Sequence, residues 1–170
     1  MKCIYIIVLL FFFQNGFSQQ DIFDIARKGT VEEVKAVMKQ NPNSINSIND
    51  AGYSPLTLAC YKGNVAVADF LIKNVDDING NSLMGTPLMA AVVKGNLVIV
   101  KALLENKANP NLTDANGTTA LIYAVQFKNT PIVKMLLEYK ANKLKIDNKG
   151  KTAFEYAVFS SNEEIINLLK

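Results

Sequence analysis

The chain has no histidine, and it has only two cysteines, Cys3 and Cys60, among its 170 residues. Without histidine, a Ser/His/Asp or Cys/His catalytic arrangement is excluded in its usual form. Because Cys60 is the single cysteine beyond residue 18, no internal disulfide can form once the first 18 residues are removed. We interpret Cys60 as a filler of the core, with a redox or nucleophilic role as the alternative.

An excess of charge of one sign is also missing. The chain has 18 basic and 15 acidic residues, a net charge of +3, and this balance does not favour nucleic acid as a partner. The adjacent pairs Glu32-Glu33 and Asp76-Asp77 do not form a catalytic pair, because neighbours in sequence do not face each other on a helix. No glycine-rich phosphate loop is present. We therefore expect no catalytic residue, no metal site and no cofactor.

The chain contains one long apolar run, at its amino terminus. Cys3–Phe13 follows the basic start Met1-Lys2 and precedes the small residues Gly16 and Ser18. This is the layout of a secretory signal peptide. The alternative, an uncleaved membrane anchor, needs about 20 apolar residues to span a bilayer. We expect a signal peptide at residues 1–18 that contacts the membrane only transiently, and a mature protein that is periplasmic or secreted.

A six-residue motif recurs four times, at steps of 32, 33 and 33 residues. A period of about 33 is typical of stacked repeats, in which each unit buries its apolar face on its neighbours. The same phase recurs in Asn64, Asn96, Asn129 and Asn162 and in Leu71, Leu103, Leu136 and Leu169. The copies of the motif are Ser54-Pro55-Leu56-Thr57-Leu58-Ala59, Thr86-Pro87-Leu88-Met89-Ala90-Ala91, Thr119-Ala120-Leu121-Ile122-Tyr123-Ala124 and Thr152-Ala153-Phe154-Glu155-Tyr156-Ala157.

Each repeat is predicted to form two short helices. The Ser or Thr that opens each motif is a good N-cap, and Pro55 and Pro87 suit the first helical position. Gly63 and Gly95 suit the left-handed conformation after a helix end, whereas Lys128 and Ser161 at the same place predict less clean ends. Turn-forming segments between the units predict projecting, hairpin-like fingers.

The unit resembles the ankyrin repeat, whose core motif reads Thr-Pro-Leu-His-x-Ala, over residues 22–170. The resemblance implies an all-α solenoid of paired short antiparallel helices with β-turn fingers. The family's histidine, which helps to tie the fingers together, is replaced here, so that tie must be made differently or be absent. Its positions are Thr57, Met89, Ile122 and Glu155. The expected ankyrin-repeat domain is 19–170, with units at about 19–48, 49–80, 81–113, 114–146 and 147–170.

In the family that the chain resembles, partners meet the fingers and the exposed side of the first helices. The matching positions predict an apolar line edged by lysines, and aromatic residues suit hot-spot contacts. The alternative is that several of these side chains pack into neighbouring units. The predicted partner-binding residues are Tyr53, Tyr61, Lys62, Leu83, Met84, Val93, Lys94, Asn116, Thr118, Phe127 and Lys149.

These features predict an exported, non-catalytic, monomeric module that binds another protein. Two narrower roles stay open: an inhibitor or immunity-type factor, and a stabilising accessory factor of an envelope enzyme. An enzyme or redox protein built around Cys60 is disfavoured by the absence of histidine and of a second cysteine in the mature chain.

The finger before the third unit differs from the others. The 32-residue step places a one-residue deletion between Asn79 and Thr86, and the tip reads Ser82-Leu83-Met84 instead of Asp or Asn with Gly. Apolar residues on a projecting turn cost solubility unless they are covered. They either fold back onto unit two or are covered by a partner, and we favour the partner.

Overall fold

The computed structural model describes residues 21–80, 82 and 85–170, which form an all-α stack of five helix pairs. The predicted signal peptide at 1–18 and the finger residues Leu83 and Met84 lie outside the described residues. No helix in the described part of the chain is both long and apolar enough to span a bilayer. The helices are α1 Ile22–Lys28, α2 Val31–Gln40, α3 Pro55–Lys62, α4 Val65–Ile72, α5 Pro87–Lys94, α6 Leu97–Glu105, α7 Ala120–Gln126, α8 Thr130–Glu138, α9 Ala153–Phe159 and α10 Glu163–Leu169.

Side-chain caps begin the helices where the sequence predicts them. The hydroxyl of Ser54 accepts a hydrogen bond from the N–H of Thr57 at 3.1 Å, and Thr86, Thr119 and Thr152 cap α5, α7 and α9 in the same way. These caps satisfy N–H groups that have no partner within the helix. Asparagines at the recurring positions cap the second helices α4, α6, α8 and α10.

The ends of the first helices differ between the repeats, as predicted. Gly63 and Gly95 follow eight-residue helices with φ of 74° and 73°. Lys128 and Ser161 take the same left-handed conformation, with φ of 54° and 51°, and their helices have only seven residues. The path of the chain is therefore kept in repeats two to five, whereas Gly29 after α1 is extended, with φ of −88°. The last two repeats adopt the left-handed conformation with residues for which it is sterically unfavourable.

Two layers of helices share one core. The first helices α1, α3, α5, α7 and α9 pack in series, and the second helices pack in series behind them. Leu71, Leu103 and Leu136, which recur at the repeat period, are completely buried between the layers. Each helix pair therefore covers the apolar side of its neighbours, as a stacked-repeat array requires.

Asparagine side chains join one repeat to the next on the loop side of the stack. The Oδ1 atoms of Asn79 and Asn111 accept hydrogen bonds from the backbone N–H groups of Asn109 and Asn142, at 2.7 and 2.6 Å. Asn46 accepts from the N–H of Asp76 at 3.0 Å in the same way. These bonds fix the rotation of each unit on its neighbour, because each one joins a side chain to backbone about 30 residues away.

The predicted deletion lies at the turn of the third finger. Ser82 and Gly85 pair through both of their backbone N–H groups, at 3.1 and 2.9 Å, and they are three residues apart. The corresponding bond of the fourth finger, from the N–H of Asp114 to the carbonyl of Thr118, spans four residues. The shorter repeat step is therefore absorbed in the turn, and the helices on either side keep their register.

Truncation of a central core residue tests the stack. We expect Leu103→Ala to lower the free energy of unfolding by about 2–5 kcal/mol, because it leaves a cavity where both neighbouring units pack. The matched control is Val98→Ala, since Val98 lies on the outer side of the same helix and is 63% exposed. Urea unfolding measures both variants. A loss of less than about 1 kcal/mol for Leu103→Ala would contradict a cooperative core at this position.

The left-handed residues after the second helices offer a test in the stabilising direction. Lys107 and Lys140 follow α6 and α8 with φ of 69° and 63°, and both side chains are exposed. Replacing each with Gly is expected to raise the free energy of unfolding by about 0.5–1 kcal/mol, because relief of the left-handed strain exceeds the entropy that Gly adds to the unfolded chain. Lys101→Gly, inside α6, is the control and is expected to cost about 1 kcal/mol. Equal effects at all three positions would refute this interpretation.

Candidate functional site

A groove of about 500 Å³ runs across the exposed side of the first helices. Four successive helices, α1, α3, α5 and α7, and the second finger contribute to it, so that it crosses three repeat boundaries. Its lining is mainly apolar and aromatic. The lining residues are Arg27, Tyr53, Thr57, Leu58, Tyr61, Lys62, Met89, Ala90, Val93, Tyr123 and Phe127.

Five of the residues predicted from the sequence lie together in this groove: Tyr53, Tyr61, Lys62, Val93 and Phe127. The side chains of Tyr61 and Phe127 are 51% and 56% exposed, and those of Tyr53 and Val93 are half-buried. The ammonium of Lys62 lies 5.6 Å from the centre of the Tyr61 ring, a cation–π distance. The apolar line edged by lysine is therefore a real feature of the surface.

The other predicted residues lie elsewhere. Lys94 is exposed beside Val93 at the edge of the groove, whereas Asn116 and Lys149 are exposed at the tips of the fourth and fifth fingers, outside it. Thr118 was predicted to be exposed on a finger, but only 6% of this residue is accessible. It forms the returning arm of the finger, where its N–H donates to Asp114 at 2.9 Å. Leu83 and Met84 lie outside the described residues.

Six lining residues were not predicted. Leu58, Ala90 and Tyr123 occupy one position of the repeat, and Thr57 and Met89 occupy the position of the family's histidine. Arg27 is the counterpart in the first unit of Tyr61 in the second. Their recurrence at fixed positions of the repeat could have identified them as candidates. It does not show which of these side chains the next repeat leaves uncovered.

Tyrosine–aspartate pairs hold the fourth and fifth fingers against their helices. The hydroxyl of Tyr123 donates to Asp114 Oδ2 at 2.6 Å, and Asp114 Oδ1 accepts from the N–H groups of Asn116 and Thr118. Tyr156 and Asp147 repeat the arrangement, with a bond of 2.5 Å. These pairs tie each finger to a helix of its own unit, whereas the tie between the two fingers is made by Asn148, whose backbone N–H and side-chain amide donate to the carbonyls of Asn116 and Ala115 at 2.9 and 3.1 Å.

The pKa of the tyrosine is raised in both pairs, and the pKa of Asp147 is lowered. Burial, followed by the hydrogen bond to Asp114 and its charge, raises the pKa of Tyr123 to about 12. At Asp147, burial opposes ionisation, but hydrogen bonds from Tyr156 and from the amides of Lys151 and Lys149 prevail and lower its pKa. Tyr123 therefore presents a fixed ring to the groove, and its hydroxyl is already engaged.

The remaining candidate for chemistry, Cys60, is completely buried in α3, as the sequence predicts. Burial raises the pKa of its thiol, so the reactive thiolate is disfavoured. In the described ranges, no group of three or more His, Cys, Asp or Glu side chains is placed to hold a metal ion. The groove can therefore offer apolar contact, ring faces and cations to a bound molecule.

The tyrosine–aspartate tie predicts a pH-dependent stability. Tyr156→Phe is expected to lower the free energy of unfolding at neutral pH by about 1 kcal/mol, because Asp147 loses a hydrogen-bond donor. The pKa of Asp147 is lowered in the fold, so its contribution is full above the ordinary aspartate value of about 4 and is lost as the pH falls through the folded value. The difference in free energy of unfolding between wild type and variant should therefore decrease as the pH falls through the folded pKa of Asp147.

Urea unfolding of both proteins between pH 7 and pH 3 measures that difference. Tyr139→Phe serves as the control, because Tyr139 is partly exposed and is not paired with an aspartate. A constant difference across this range would show that the pair does not act through the ionised carboxylate.

Comparison with known proteins gives consistent matches. A family model of three ankyrin repeats matches residues 22–114 and again residues 88–170. Ankyrin repeat and SAM domain-containing protein 6 of Rattus norvegicus is 35% identical over 102 residues, which are 59% of this chain and 12% of that protein. Ankyrin repeat and KH domain-containing protein 1 of Homo sapiens is 48% identical over 68 residues, 40% of this chain and 3% of that protein.

An ankyrin repeat-containing protein of Schizosaccharomyces pombe is 30% identical over 98 residues, which are 55% of this chain and 42% of the yeast protein. The chain therefore spans only a small part of the mammalian relatives and less than half of the yeast one.

Proposed function

The chain belongs to the ankyrin-repeat family, and from this premise we propose that it is a non-catalytic module that binds another protein through the groove of its first helices. The family match supports a protein–protein interaction in general. The particular surface is our inference from the groove. The buried Cys60 and the absence of histidine support a role without catalysis.

The observation that carries this proposal is the exposure of two aromatic rings along one continuous apolar groove. Tyr61 and Phe127 present about half of their surface to water. Large aromatic side chains in a concave, water-excluding surface are the usual centres of binding energy at interfaces. The fixed ring of Tyr123 lies in the same groove and contributes a rigid wall.

A pair of matched variants tests the surface. The partner is first captured from an extract of the source cells, and its affinity for the wild-type protein is then measured by calorimetry. Tyr61→Ser combined with Phe127→Ser is expected to weaken binding by more than tenfold, about 1.4 kcal/mol, with little change in urea unfolding. Val65→Ser combined with Val98→Ser removes exposed apolar residues from the second-helix side and is expected to leave the affinity unchanged. Equal affinity of both double variants would place the interface elsewhere.

We also propose that the protein is exported after removal of residues 1–18. The support is the basic start, the apolar run Cys3–Phe13 and the small residues before Gln19. A chain whose remaining cysteine is buried is also suited to an oxidising compartment. Intact-mass measurement of protein from the native cells is expected to show a mature chain that begins at or near Gln19. An uncleaved chain in the membrane fraction would refute the proposal.

A further inference from the structure

We propose that the segment of the partner protein that enters the groove is acidic and carries apolar or aromatic side chains between its carboxylates. This inference rests on the proposed function, which it makes more specific by naming the chemistry of the partner. It follows from the distribution of charge on the two sides of the stack.

Lysines edge the groove at or just after the ends of the first helices. Lys28, Lys62 and Lys94 are the last residues of α1, α3 and α5, and Lys128 follows the groove residue Phe127. All four side chains are exposed. Within the part of the chain that the structure describes, none of the four forms an ion pair.

The stem of Lys94 passes close to Gly63, the residue that follows Lys62. The Cε and Cγ atoms of Lys94 are 3.6 and 3.8 Å from the point that a Cβ atom on Gly63 would occupy, directly after Lys62. The stem of Lys94 therefore lies back across the repeat boundary toward Lys62. An anion that binds at this boundary is attracted by both ammonium groups.

Few carboxylates lie near the groove, and the exposed Asp50 belongs to the second finger. Helices α3, α5 and α7 contain no aspartate or glutamate. Asp24 in α1 is held by Arg27 at 2.7 Å. Asp114, behind Tyr123, is buried and already accepts three hydrogen bonds.

The second-helix side of the stack has the opposite character. There every second helix contains at least one carboxylate, and several lysines pair with them: Lys73 pairs with Asp69 at 2.7 Å, and Lys134 pairs with Glu164 of the next repeat at 2.8 Å. Lys101 lies 3.7 Å from Glu105. Lys62 and Lys94 therefore edge the groove on helices that carry no carboxylate, where complementary charge on a partner increases both specificity and the rate of association.

The geometry also sets the size of the segment. Three steps between neighbouring helices, from α1 to α7, cover roughly 25–30 Å at the usual packing distance. An extended chain of about eight residues spans that length. Its apolar side chains would contact Tyr61, Val93 and Phe127, and its carboxylates would lie near the lysines.

The test begins with a random library of peptides of about twelve residues, long enough to fill the groove, displayed on phage and selected on the protein. We expect the enriched sequences to combine Asp or Glu with Phe, Tyr, Trp or Leu. Calorimetry with an enriched peptide is expected to show at least a tenfold loss of affinity for Lys62→Gln combined with Lys94→Gln, and a weaker dependence on salt. Lys73→Gln combined with Lys101→Gln removes the same charge from the second-helix side and is expected to change the affinity by less than about twofold.

The outcomes separate this inference from the proposed function. If the enriched sequences are neutral or basic but still lose affinity with Tyr61→Ser and Phe127→Ser, the acidic partner is wrong and the groove stands. If the groove-edge and second-helix lysine variants have the same affinity for the peptide, the inference is overturned as well. If binding is insensitive to the aromatic and lysine variants together, the groove itself is not the interface. Single-stranded DNA that binds as tightly as the acidic peptide would also overturn the inference.

Discussion

Burial between neighbouring repeats is the interaction on which everything else in this protein depends. Each helix has only seven to ten residues, too few for an isolated helix to be stable in water. The helices persist because Leu71, Leu103 and Leu136 are shared between adjacent pairs and leave no surface exposed. The groove lies on the exposed side of the first helices, which pack against the second helices that carry these leucines. Its shape is therefore set by the core directly beneath it.

The hydrogen bonds between repeats fix the orientation of each unit, which the hydrophobic core alone does not. Hydrophobic contact between similar helices allows small rotations of one unit on the next, whereas the bonds from Asn79 and Asn111 to backbone N–H groups are directional. The Tyr123–Asp114 pair acts in the same way on a finger. Because Tyr123 also lines the groove, one side chain serves both the rigidity of the finger and the shape of the surface.

Most of the fold could be predicted from the sequence because its determinants are local. Caps such as Ser54 and Thr119 act within one turn of helix, and the repeat phase identifies which side of each helix is buried. Thr118 could not be placed correctly, because its burial depends on how the finger returns to the stack. The tyrosine tie depends on a contact between residues nine apart, although the spacing of Asp114 and Tyr123 recurs in Asp147 and Tyr156 and was visible in the sequence.

The charges show why the groove edge is better explained by binding than by folding. An exposed ion pair such as Lys73–Asp69 contributes about 0–1 kcal/mol, so either side of the stack could hold or lack such pairs with little effect on stability. Stability therefore gives no reason for acidic residues to accompany the lysines on one side and to be missing beside Lys62 and Lys94 on the other. The asymmetry has a physical consequence only when a second molecule approaches, since an unpaired cation beside an apolar surface attracts an anion that brings apolar groups with it.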